Sequence, residues 1–177
     1  AKSVKLMECL AGLTSDRAFF VTAPYGSGKS LTATYLLHLI QNRPEAKSVL
    51  KSIQRRLVPI SPDIARFAAK RARKADLKGI ALAMEGYQED VGKALQSAAV
   101  EALSRLKMGR QAKSIRNLDV VGADGAIAVL SLLCDKAENS KCDRIVILWD
   151  EFGRHLESLV AAGESAKIGD IQQVAEF

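Results

Sequence analysis

Gly26 and Gly28, in the stretch "TAPYGSGKS" from Thr22 to Ser30, narrow most sharply what this chain can fold into. Glycine adopts left-handed backbone without strain, and two glycines so close together let several amide N–H groups turn inward around an anion. The run "RAFFVTA" directly before the turn is apolar without interruption and reads as a parallel strand buried on both faces. After it, "KSLTATYLLHLIQN" places Leu31, Tyr35, Leu36 and Leu39 on one helical face and stops before Pro44. A helix that starts at the turn adds its N-terminal partial positive charge to the amides. The expectation is therefore a loop for nucleotide phosphates made by Ala23, Pro24, Tyr25, Gly26, Ser27, Gly28, Lys29, Ser30 and Leu31. Against the pattern G-x-x-x-x-G-K-[ST], Ala23 stands where the first glycine usually is. Lys29 would reach the β- and γ-phosphates, and the Ser30 hydroxyl would ligate Mg2+.

A second motif follows far along the chain. "RIVILWDE" is an apolar strand that ends in two adjacent carboxylates, Asp150 and Glu151. A strand end is where a phosphate-binding enzyme needs its second carboxylate, so Asp150 is the candidate to hold Mg2+ and Glu151 the candidate general base that polarises water. Lys29 and Glu151 are thus the candidate catalytic residues, and Ser30 and Asp150 the candidate metal ligands.

Helical patterning dominates the rest. Residues 3 to 14 read as a helix ending near Gly12, Leu57 to Ile60 as a short strand, and Ser61 and Pro62 as the N-cap and first position of a helix. Gln88 to Lys107 keeps a helical period through Val91, Leu95, Ala98, Ala99, Ala102 and Leu106, and "AIAVLSLLCDKAE" is a further helix. Strands separated by helices predict one α/β domain over 1–177: three layers, a mainly parallel sheet, and a helical insertion over about 62–117 between the two motifs. The chain starts with Ala1, not Met, and ends inside an amphipathic pattern of Ile171, Val174 and Phe177, which predicts a fragment of a longer protein.

Charge adds one candidate surface. The net charge is +6, and "ARFAAKRARKADLK" gathers Arg66, Lys70, Arg71, Arg73, Lys74 and Lys78 around one acid, Asp76. Such a face suits sequence-independent contact with DNA phosphates, or is simply a solvated helix surface. Arg154 is a candidate arginine finger or a surface ion-pair residue, and His155 a packing or capping residue. The cysteines Cys9, Cys134 and Cys142 form no CxxC pair, no signal peptide is visible, and the apolar runs are too short to span a membrane. These features predict a reduced, cytoplasmic protein.

"PYGSGKS" followed by a late "ILWDEFGRHLE" resembles the ATPase modules of large bacterial P-loop proteins, AAA+ or STAND-like, of phage-defence and DNA-modification islands. The resemblance covers the two motifs and their flanks. It implies a three-layer P-loop fold, Mg-dependent ATP hydrolysis linked to DNA or triggered by a partner, and assembly as a homo-oligomer or with partner subunits. The segment after Glu151 is too short for a sensor strand and a helical lid with its arginine, so hydrolysis by this chain alone is expected to be slow. Two other functions remain open on the residues: transfer of the γ-phosphate to a small molecule, and a nucleotide-gated interaction module without turnover.

Overall fold

The computed structural model describes Leu6, Cys9 and residues 18–24, 26–74 and 78–177. The expected helix over 3–14 therefore lies almost wholly outside the described residues, as do Tyr25 and Asp76. The chain divides into two compact units, Ala1–Leu77 and Lys78–Phe177.

The regular structure of the first unit, among its described residues, is helical. Helix α1 (Lys29–Gln41) begins at Gly28, whose left-handed backbone turns the chain into the helix, and the Thr32 amide closes the first turn on the Gly28 carbonyl at 2.9 Å. It ends at Asn42, also left-handed at φ 46°, just before Pro44. A short 3-10 turn (Pro44–Ala46) leads into α2 (Lys47–Leu57) and then α3 (Pro62–Arg73). Ser61 and Pro62 do open α3 as the sequence predicts, with Ser61 extended and Pro62 in the first turn, where its missing N–H costs nothing. Leu36, Leu37, Leu39 and Ile40 of α1, Leu50 of α2, and Ala65 and Ala68 of α3 form the buried interior.

Two expected strands are absent here. Residues 18–24 have no regular secondary structure, and Phe20 and Val21 are 64% and 55% exposed. An apolar run becomes a strand only when a neighbouring strand pairs with its backbone, and the two strands of the sheet among the described residues both lie elsewhere in the chain. Leu57 closes α2, and residues 58–60 turn, with the Ile60 and Ser61 amides bonded back to the Leu57 carbonyl at 3.0 and 2.8 Å. The amphipathic period of "KSVLKSIQRRL" carries the helix up to Leu57, and Pro59 provides no strand donor.

The ends of α1 and α3 are locked together. Arg71, only 2% exposed, donates from Nε to the Leu39 carbonyl at 2.8 Å and from Nη2 to the Ile40 carbonyl. In return Asn42 Nδ2 donates to the carbonyls of Arg71 and Lys74 at 3.2 and 3.0 Å. The last carbonyls of a helix have no partner within it, and a cation is favoured at that end, so one arginine meets both needs.

The second unit contains a parallel pair of strands, β1 (Lys78–Glu85) and β2 (Cys142–Asp150). The crossover between them carries α4 (Val91–Arg105), α5 (Gly109–Arg116) and α6 (Gly122–Asn139); α7 (Phe152–Ala161) and α8 (Ser165–Glu176) follow β2. The protein is thus α/β, with a two-stranded parallel sheet among the described residues. Strand β1 interrupts the stretch 62–117 that was expected to be helical throughout. Its sequence, "KGIALAME", is a short apolar run that the helical and strand periods fit equally, and the partner that decides lies some sixty residues away in β2.

Ile80, Leu82 and Met84 of β1 meet Leu95, Ala99 and Leu103 of α4, Ile115 of α5, and Ala126, Val129 and Leu133 of α6 in one core. Asp90 caps α4 by accepting from the Lys93 amide at 2.9 Å, and its second oxygen accepts from the Gly122 amide at 3.0 Å, joining the start of α4 to the start of α6. Partial burial pushes the Asp90 carboxyl upward, but these backbone hydrogen bonds outweigh it and hold the group below its ordinary value. Asp90 therefore adds stability that is fully present above the usual aspartate range, near 3.9, and is lost as pH falls through the lower folded value. Thermal melts from pH 7 to pH 2 should show Asp90→Ala less stable at neutral pH by about 1 kcal/mol and equal to wild type at the acid end.

Close approach, not backbone conformation, explains Gly125. A Cβ there would lie 2.8 to 2.9 Å from three atoms of Val120, two of them backbone. Gly125→Ala is expected to cost about 1–3 kcal/mol through overpacking, read as a lower denaturation midpoint with an unchanged slope.

Candidate functional site

The phosphate-loop candidates are consecutive in the first unit, all but Tyr25 among the described residues. Gly26 and Gly28 both have positive φ, 75° and 83°, and a Cβ at either would meet open space, so conformation and not crowding demands glycine there. The Ser27 amide donates back to the Pro24 carbonyl at 3.3 Å, closing a turn over Pro24–Ser27. Lys29 folds over this turn: its ammonium donates to the carbonyls of Ala23 at 2.8 Å and Pro24 at 3.1 Å. Ser30 and Leu31 are exposed in the first turn of α1, with Leu31 at 74%. A left-handed glycine turn, an exposed helix N-terminus and an ammonium held within the same loop suit a polyanion.

The acidic candidates lie in the second unit, at the carboxyl end of its sheet. Asp150 is the last residue of β2, and its carbonyl accepts from the Gly86 amide at 3.0 Å. Glu151 then bends the chain sharply. Its φ of 54° and ψ of 27° are left-handed, its amide donates to Asp150 Oδ1 at 3.0 Å, and its carbonyl accepts from the amides of Arg154 and His155 at 3.0 and 3.3 Å, which starts α7. The Arg154 guanidinium pairs with the Glu151 carboxylate at 3.3 Å, so Arg154 is an exposed ion-pair residue one helical turn on.

Glu85 was missed in the sequence. It ends β1 as Asp150 ends β2, and the two are register partners, so three acids share the carboxyl edge of the sheet. The signal was present: "LAMEG" is an apolar run stopped by an acid and a glycine, the same outline as "ILWDEFG". His155 is a packing residue as the sequence predicts: the Trp149 indole lies 4.7 Å from its ring and 4.9 Å from Phe152. Among the described residues no group of three or more His, Cys, Asp or Glu side chains could hold a metal ion.

The basic surface needs one correction. Arg71 is buried and caps α1, so it is not available to DNA. Nothing in the one-dimensional pattern separates it from Lys70 or Arg73; the carbonyls it meets belong to a helix thirty residues earlier. Arg66, Lys70, Arg73 and Lys74 are exposed, and Arg66 is paired with Asp63 at 3.2 Å. No helix among the described residues is long and apolar enough to cross a membrane.

Compared with protein families, curated proteins and solved structures, the chain finds no match.

Proposed function

We propose that the protein binds Mg·ATP on Ala23–Leu31 and hydrolyses it with Asp150 and Glu151, as a P-loop ATPase. The observation that carries this is the loop itself: two left-handed glycines, Lys29 bonded across the turn, and α1 starting at once behind it. A second support is the position of Asp150 and Glu151 at the carboxyl end of parallel strands, the edge at which open α/β sheets take their ligands. Lys29 and the loop amides would hold the β- and γ-phosphates. Ser30 and Asp150 would hold Mg2+, which supplies neutralisation of the phosphate charge. Glu151 would take a proton from the attacking water as its oxygen bonds to the γ-phosphorus and the bond to the β–γ bridging oxygen breaks, giving ADP and inorganic phosphate.

The larger fold we propose with this function is a three-layer sandwich in which β1 and β2 belong to a wider parallel sheet. Strand β2 supports it, because parallel strands are normally buried on both faces, whereas "IVILW" is only half-buried here and Ile147 is 40% exposed. The test is ATP binding and phosphate release by the chain with Mg2+. Phosphate release without added acceptor is the expected result. Turnover that depends on a small-molecule acceptor would replace hydrolysis with phosphotransfer, and absence of ATP binding would overturn the proposal.

A further inference from the structure

Glu151 holds a backbone conformation that costs a residue with a side chain about 1–2 kcal/mol, so its surroundings must impose it. The local hydrogen bonds to Asp150, Arg154 and His155 account for its geometry only if the residues on each side of the bend stay in place. Those residues are Trp149 before it and His155 after it, and their rings stack with 31° between planes. Both are tied to one short segment, the turn that follows β1. Trp149 Nε1 donates to the Gly86 carbonyl at 3.0 Å, and the Gln88 amide donates to His155 Nδ1 at 3.2 Å. With the Gly86 amide on the Asp150 carbonyl, three hydrogen bonds join residues 86–88 to residues 149–155. His155 is 3% exposed, and Tyr87 packs on its ring at 5.4 Å.

We infer that His155 is a positioning residue: by accepting from the Gln88 amide and stacking on Trp149, it clamps the turn after β1 to the bend at Glu151 and fixes where the Glu151 carboxylate points. This deepens the proposed hydrolysis and rests on the role given there to Glu151. The clamp needs a neutral imidazole with its proton on Nε2, because an imidazolium donates from both nitrogens and accepts at neither. Burial, and after it the Lys167 ammonium, hold the ring below its ordinary value. The groups that share its cavity, of about 220 Å³, are Glu89, Asp90, Lys167 and Asp170, with Tyr87 on the ring face and Glu164 bonded to Lys167 at 3.0 Å.

Trp149 is the protein's single tryptophan, so tryptophan fluorescence reports the surroundings of this one indole, against which the His155 ring lies. Three chains separate the possibilities: wild type, His155→Phe, which keeps a ring without an acceptor, and His155→Asn, whose carboxamide oxygen can replace Nδ1. Wild-type emission should titrate with a midpoint below about 6.5, and neither variant should titrate in that range. Amide exchange at Gln88 should be about tenfold faster in His155→Phe and return toward wild type in His155→Asn. Phosphate release should follow the same order, with kcat about ten- to a hundredfold lower in His155→Phe and KM for ATP unchanged. Unchanged Gln88 exchange in His155→Phe, or a loss confined to KM, would overturn the assignment. If wild type releases no phosphate, the proposed hydrolysis fails by itself, and exchange at Gln88 and Glu151 still decides whether the clamp exists.

Discussion

Lys29→Ala is expected to weaken ATP binding about a hundredfold while leaving the fold intact. Hydrogen bonds to charged groups contribute about 1.5–3 kcal/mol each, and the ammonium is placed to give at least one of them to phosphate oxygens. Its partners in the protein are carbonyls of its own loop, Ala23 and Pro24, and not core groups, so the change should shift stability by no more than about 0.5 kcal/mol. Calorimetric titration with Mg·ATP, beside thermal melts of both chains, checks the two halves together. Equal affinity in wild type and variant would remove the loop from nucleotide binding altogether.

Glu151→Gln should lower phosphate release about a thousandfold with ATP affinity retained, because a carboxamide keeps the shape and the approach of Arg154 but cannot accept the proton of water. Single-turnover measurement with bound ATP gives the chemical step directly. A nucleotide-gated switch without turnover predicts the opposite pattern: no change in either quantity, since no proton transfer is then needed at Glu151. The left-handed backbone at this position favours the first outcome, because strain of that kind persists where surrounding structure imposes it, and such positions gather at active sites.

What could be read from the sequence depended on how far apart the deciding residues lie. The start of α1 at Lys29, its end ahead of Pro44, the opening of α3 at Ser61 and Pro62, and the helical face of α4 each rest on residues within a turn of one another. Strand β1 does not. Ala81 and Ala83 are good helix formers, Gly79 and Gly86 mark only its ends, and the backbone partners that make "GIALAM" a strand are Ile145 to Trp149. The same holds for side chains. The glycine turn and the Asp150–Glu151 pair were legible because each is a local pattern. The pairing of Glu85 with Asp150, the grip of Gln88 on His155 and the burial of Arg71 are products of folding. "AFFV" shows the reverse error: its apolar character pointed to a strand buried in a sheet, yet Phe20 and Val21 are exposed and unstructured, because a strand is made by its neighbour.

The lock between Arg71 and Asn42 has a mechanical meaning. Helix α1 has the glycine turn at one end and this lock at the other, about 20 Å away for thirteen residues at 1.5 Å each. Two carbonyls of α1 and two from the end of α3 are bonded across the junction, so a swing of one helix against the other would have to break them. The pair behaves as a strut with a fixed elbow: a tilt imposed on α1 at its loop end must reappear as a tilt of α3, carrying Arg66, Lys70 and Arg73 with it.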